Sequence, residues 1–464
     1  MISIPTRVSR AAALAGLMLL CGAGQAQSLL SEVNPFQPVK NGFGIYEVTL
    51  FSQYYSVARP SFSLAATQPQ NLGFDVASGA QGRLGWNHSG ARTNAGFEYT
   101  GSYAARARYS DWNTNNHALS LRLEQGLGRA WSLHFSANGG LQTLDRSLFE
   151  NQQLVSWAAQ PASFDDLAAA MLRGAYSDQQ LASMLTGLPV VATPAETLIY
   201  GSRYVSSGAS ATLSYSRSPR MRLFWGVGGG HMQALSGAPG TRAALLNHSF
   251  RGNADMGVSY ALDQRTELAA TAGAGRQFSS LSDRYNLTGT VSLSRALTRQ
   301  WFASIQGGGG TYLDLRDTIL SNTGASTPAA HAPAHYLGGV TLARRSYSQT
   351  WMLSAQRGIM DSYGIGSRSS VLVDLAWNWS RPGSNWFLMA AGSGQYMDRS
   401  SLNALSAWRM RAGLGRRLAS DLAWQTEYAY TDYRLSGALA QGLLPSAGMH
   451  VVRVALVWSP QRAN

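Results

Sequence analysis

Residues 130–142, AWSLHFSANGGLQ, alternate strictly: Trp131, Leu133, Phe135, Ala137 and Leu141 on one face, Ser132, His134, Ser136, Asn138 and Gln142 on the other. A period of two is the signature of a β-strand with one apolar and one polar face. The same alternation recurs along almost the whole chain. Residues 371–379 set Val371, Val373, Leu375, Trp377 and Trp379 against Leu372, Asp374, Ala376 and Asn378, and residues 250–262 set Phe250, Met256, Val258, Tyr260 and Leu262 against Arg251, Asn253, Asp255 and Ser259. About eighteen such runs lie between residues 43 and 459; a hairpin counted in error would leave sixteen. Most reach the roughly ten residues that a tilted membrane strand needs, whereas strands of soluble proteins have a mode near five or six.

The connections sort by length. Short turns such as HSGA (88–91), GLGR (126–129), RSPR (217–220), DQRT (263–266), RALTR (295–299), RPGS (381–384) and RRLAS (416–420) interleave with longer loops at 58–72, 143–202, 234–247, 314–333 and 434–447. Outer-membrane barrels carry short periplasmic turns and long extracellular loops. An even strand count puts both termini and the short turns at one end. A soluble sandwich has no reason to sort its loops by parity. The fold expected is an all-β, transmembrane, antiparallel up-and-down barrel occupying residues 43–459, with residues 27–42 as a periplasmic lead-in and 460–464 as a tail.

Composition agrees. The chain has 49 Gly, 13 Trp and 20 Tyr but only 13% charged residues. Lipid-facing positions exclude charge, and aromatic residues gather at both interfaces. The first 26 residues, with Arg7 and Arg10 before the apolar run Ala11–Leu20 and small residues after it, read as a signal peptide cut after Ala26. Cys21 raises lipidation, against which the bulky Leu20 before it argues. Cys21 is the only cysteine, so a mature chain without it has neither disulfides nor a thiolate metal site. No cofactor or metal is expected. The net charge of +13 is almost wholly arginine, Lys40 being the only lysine. That arginine is dispersed over many short turns, and an exported chain does not meet nucleic acid, so nucleic-acid binding is set aside.

Within the loop 143–202, residues 163–189 have helical character: Ser163 with Asp166 and Ser177 with Gln180 form capping boxes. Phe164, Leu167, Met171, Arg173, Leu181 and Met184 are the candidate constriction or gate, an extracellular cap being the alternative. The layout resembles the porin plan, in which a loop folds inward to narrow the channel.

With the apolar face toward lipid, the candidate lumen residues are Arg83, Arg106, Arg108, Arg122, Arg222, Arg251, Arg409, Arg411 and Arg453, with the acids Glu98, Glu124, Asp255, Asp374 and Glu427; Glu47 and Glu267 share that face. Charged rings in a pore select permeants by sign, whereas the same groups paired across strands would stiffen the wall. His134 and Ser136 invite a hydrolase reading. Residues two apart on a strand stand about 6.6 Å apart by rise, too far for a nucleophile and its base. No enzyme is expected.

The chain resembles the eighteen-stranded porins that accompany polysaccharide-export lipoproteins, in architecture, arginine use and Gly/aromatic content, and it is similar in size to the alginate-export barrels. Its last strand, GMHVVRVALVW, resembles the closing-strand signal of outer-membrane barrels, although six residues follow it. The resemblance implies an outer-membrane channel for an anionic exopolysaccharide, partnered by such a lipoprotein. The alternatives are a passive small-solute porin, or a plugged barrel that binds a ligand or serves a structural role.

Overall fold

The computed structural model describes residues 41–56, 74–108, 113–143, 203–235, 249–279, 282–298, 300–317, 334–361, 367–380, 383–397, 403–437 and 447–460. The expected signal peptide, the helical insertion with its six gate candidates, and nearly all of the lead-in and tail lie outside these residues.

Eighteen strands form among the described residues. They are β1 Gly42–Tyr55, β2 Asp75–Ser89, β3 Thr93–Arg106, β4 Thr114–Gly126, β5 Trp131–Thr143, β6 Arg203–Ser216, β7 Met221–Leu235, β8 Ser249–Ala261 and β9 Thr266–Ser279. The second half is β10 Ser282–Ala296, β11 Trp301–Asp317, β12 His335–Arg345, β13 Gln349–Asp361, β14 Ser367–Ser380, β15 Trp386–Met397, β16 Asn403–Arg417, β17 Leu422–Gly437 and β18 Ala447–Trp458. Each pairs antiparallel with its neighbours in the chain, and β1 pairs with β18 from Val48↔Trp458 to Tyr55↔Val451. The sheet closes on itself and leaves no edge. A barrel of this strand number encloses a space too wide for its own side chains to fill.

The pleat separates the two faces residue by residue. Leu375 is 51% exposed while its neighbour Asp374 is 2% exposed. Outward positions across the barrel, such as Leu50, Val454, Met410 and Ile305, are exposed large apolar side chains. An apolar exterior of this extent is one that lipid satisfies and water does not. Ten outward tryptophans (Trp86, Trp131, Trp225, Trp301, Trp351, Trp377, Trp379, Trp386, Trp424 and Trp458) lie in the half nearer the short turns; Trp408 is in the other half.

The short turns and both barrel termini share one end, as expected. Gly128 and Gly383 take positive φ in two of those turns, 132° and 82°, a backbone that side-chain-bearing residues rarely adopt. One connection departs from the parity rule: β9 and β10 are separated by only two residues at the long-loop end. Their pairing runs to Phe278↔Asp283 at the rim, and Arg276 bonds Asp283 beside it through Nε (3.0 Å) and Nη2 (2.9 Å).

The first strand contains a register shift between Ile45 and Glu47. Its origin is in the sequence: Phe43 and Ile45 are odd, Val48 and Leu50 even, so an unbroken pleat would turn one pair inward. A bulge at Tyr46 keeps all four outward. Deleting Tyr46 removes the extra residue, so an unbroken pleat then keeps Phe43, Ile45, Val48 and Leu50 all outward. The expected result is a folded, heat-modifiable species on a gel at close to the parent's yield; loss of most of that species would remove the bulge from the account.

Inward rings interlock with glycines of adjacent strands. A Cβ at Gly415 would stand 1.9 Å from the Phe387 ring, and one at Gly257 2.3 Å from the Phe224 ring. Glycine is required there by close approach.

Candidate channel lumen

The inner face divides into two sectors. In β12–β18 and β1–β3 most inward side chains are buried. Arg83, Arg106, Arg409, Arg411 and Arg453 are matched in number by Glu47, Asp75, Glu98, Asp374 and Glu427. Arg83 donates from Nε to Glu98 Oε1 at 3.0 Å, with Nη2 2.9 Å from the same oxygen, and Nη1 lies 3.9 Å from Glu47 Oε2. Arg106 lies 3.7 Å from Asp75 and Arg411 3.9 Å from Glu427. Register explains these pairings: Glu47 stands opposite Arg83, and Glu427 opposite Arg453, which in turn faces Gln53. Two guanidiniums lie over inward rings, Arg453 over Phe51 at 4.3 Å and Arg106 over Tyr55 at 4.7 Å. Charges desolvated to this degree are tolerated where they are paired, as Arg83 is with Glu47 and Glu98, Arg106 with Asp75 and Arg411 with Glu427. Guanidiniums so covered present no charged track to a passing solute.

In the second sector, β4–β11, most inward positions are half-buried, with buried ones toward the strand ends, such as Asn116, Ser214, Ser259, Arg284 and Ser304. Small and neutral groups dominate it: Ser120, Ser132, Ser136, Asn138, Ser210, Thr212, Asn253, Thr271 and Thr288, with inward glycines among them. The glycine runs 228–230 and 307–310 keep regular pairing with no register shift, so they are small wall positions and not bulges. Six half-buried charges stand here, Arg122, Arg222 and Arg251 against Glu124, Asp255 and Glu267. The Asp255 carboxylate lies over Gly226, where a Cβ would be 2.5 Å from both oxygens. Arg122 donates from Nη2 to Asn87 Oδ1 at 2.8 Å.

His134 and Ser136 are drawn apart. His134 Nε2 lies 3.5 Å from Glu124 Oε1 on β4, while Ser136 Oγ lies 2.6 Å from Ser210 Oγ on β6. The two polar groups serve different strands.

Of the candidate lumen residues, Arg108 departs from its expected place. β3 ends at Arg106, and Arg108 lies beyond it, exposed, with its guanidinium 4.8 Å over the outward Phe74 ring and Nη1 donating to the Phe74 carbonyl at 3.2 Å. The alternation was extrapolated past the end of the strand. A further inward group was not singled out from the sequence. Arg284 is buried and stacks at 5.9 Å over Tyr312, whose ring is parallel to that of His335 at 5.4 Å. Its signal was the alternation of Arg284, Asn286, Thr288 and Thr290 with Tyr285, Leu287 and Val291.

No protein-family model matches the chain, and no curated protein matches it in sequence. Among solved structures it is similar to Pseudomonas aeruginosa OpdK crystallised with vanillate (10% identity, TM-score 0.41, 89% of this chain and 97% of that one). It is also similar to P. aeruginosa OccK2 (OpdF) in complex with glucuronate (12% identity, TM-score 0.42, 91% and 100%) and to P. aeruginosa OpdL (13% identity, TM-score 0.40, 90% and 98%). At these identities and scores the likeness transfers no residue, permeant or family to this chain.

Proposed function

We propose that the chain is an outer-membrane diffusion channel for small polar solutes, delivered across the inner membrane by residues 1–26 and set in the outer membrane with its short turns on the periplasmic side. The observation that carries this reading is the closed eighteen-stranded barrel with an apolar exterior and an inner sector, β4–β11, of accessible small polar groups with balanced charge. Lipid surrounds the barrel and a solute passes through it. No export lipoprotein is required, and no residue is given a catalytic role.

Export of an anionic polymer is the less favoured reading for a specific reason. It needs a continuous run of accessible cations, and Arg409, Arg411 and Arg453 are covered. Arg83, Arg106, Arg122, Arg222, Arg251, Arg409, Arg411 and Arg453, with Glu98, Glu124, Asp255, Asp374 and Glu427, remain the candidates for the lumen wall. Phe164, Leu167, Met171, Arg173, Leu181 and Met184 remain the gate candidates.

The test is reconstitution of the full mature chain. Planar bilayers should give steady ohmic conductance, and proteoliposomes should swell in monosaccharides faster than in oligosaccharides. A silent bilayer would favour the plugged barrel. Loss of secreted polysaccharide on gene deletion, with small-solute uptake unchanged, would return the export reading.

A further inference from the structure

Two triplets of outward side chains repeat four strands apart. Arg344 on β12 stands directly opposite Trp301 on β11 and Trp351 on β13. Arg416 on β16 stands directly opposite Trp386 on β15 and Trp424 on β17. In both, the guanidinium lies 5.4 Å from the ring of the first tryptophan. In both, the two indoles meet edge to face: Trp301 and Trp351 at 5.0 Å and 90°, Trp386 and Trp424 at 6.1 Å and 85°. Each arginine is the last residue but one of its strand, at the short-turn end.

Neither guanidinium has a carboxylate partner among the described residues. The Nε of Arg344 is covered and makes no hydrogen bond there. An arginine on the lipid-facing side of a barrel is costly unless it finds an anion. Indoles gather at the headgroup level of a bilayer, so the triplets sit where phosphodiesters are. A guanidinium binds phosphate oxygens in a planar fork, and a ring that fixes its orientation by cation–π attraction removes part of the ordering cost.

We propose that Trp301–Arg344–Trp351 and Trp386–Arg416–Trp424 are two equivalent binding sites for the headgroup of an anionic glycerophospholipid in the leaflet at the short-turn end. The arginine takes the phosphodiester, and the indoles flank the glycerol and ester region. The inference rests on the membrane-spanning reading of the barrel but not on what passes through it.

Native mass spectrometry of the full chain in detergent, given equal amounts of phosphatidylglycerol and phosphatidylcholine with the same acyl chains, tests it. The parent should hold two phosphatidylglycerol molecules, Arg344→Gln or Arg416→Gln one, and the double variant none. Arg129→Gln makes the same change in net charge in an exposed turn and should still hold two. Retention of phosphatidylglycerol by the double variant, equal retention of phosphatidylcholine by the parent, or an equal loss in Arg129→Gln would overturn the proposal. Conductance of the double variant should match the parent, so that failure of lipid binding and failure of the channel reading are separate results.

Discussion

Replacing Arg83 with leucine should destabilise the folded barrel by roughly 3–5 kcal/mol, the loss seen when one partner of a buried ion pair is removed. Arg83 is the cation shared by two carboxylates on the inner wall, Glu98 within 3.0 Å and Glu47 at 3.9 Å, with side chains 10%, 3% and 5% exposed. Leucine fills the space but leaves both acids desolvated. Among the described residues, the other polar contact of Glu47 is the Thr49 hydroxyl, which donates to its Oε1 at 3.1 Å. The triple variant Arg83→Leu, Glu47→Gln, Glu98→Gln removes all three charges together and should recover most of the loss, since neutralising a buried network costs far less than orphaning it. Urea unfolding from lipid vesicles reads both. A single variant as stable as the parent would mean that water reaches the triad and that the sector is open.

The pattern of faces was legible in the sequence because a strand repeats every two residues and lipid tolerates no charge. Leu375 and Asp374 could be sent to opposite faces without any knowledge of their neighbours. The strand count followed from the same rule, as did the end at which the turns are short. What the alternation does not carry is register. It placed Arg409 and Arg411 on the inner face but not Arg411 beside Glu427, which arrives from the next strand. It could not tell that one sector of the inner wall is covered and the other accessible, because period two specifies a direction and not what lies in that direction. The Trp–Arg–Trp triplets were hidden for the same reason: Trp301, Arg344 and Trp351 are scattered over fifty residues and become adjacent only through pairing. The shift at Tyr46 was visible as a change of parity between Ile45 and Val48, and only a paired β2 shows that the chain absorbs it as a bulge.

Ion selectivity separates the two sectors most sharply. The parent channel should be weakly selective, since Arg122, Arg222 and Arg251 offset Glu124, Asp255 and Glu267 on the accessible wall. Asp255→Arg changes the local charge by two. Glycines flank it on both sides, Gly226 on β7 and Gly273 on β9, so a longer side chain has room to project inward. A unit charge about 4 Å from a passing ion in water is worth roughly 1 kcal/mol, about a fivefold bias. The anion-to-cation permeability ratio should therefore rise by at least about fivefold at low salt, and the effect should fade above about 1 M as screening shortens. The paired substitutions Arg409→Gln and Arg411→Gln remove two charges from the covered sector, where both residues are 8% exposed. They should lower stability and leave the reversal potential where it is. A shift in reversal potential as large as that of Asp255→Arg would put the covered sector on the permeation path, and with it the arginines that an anionic polymer would need.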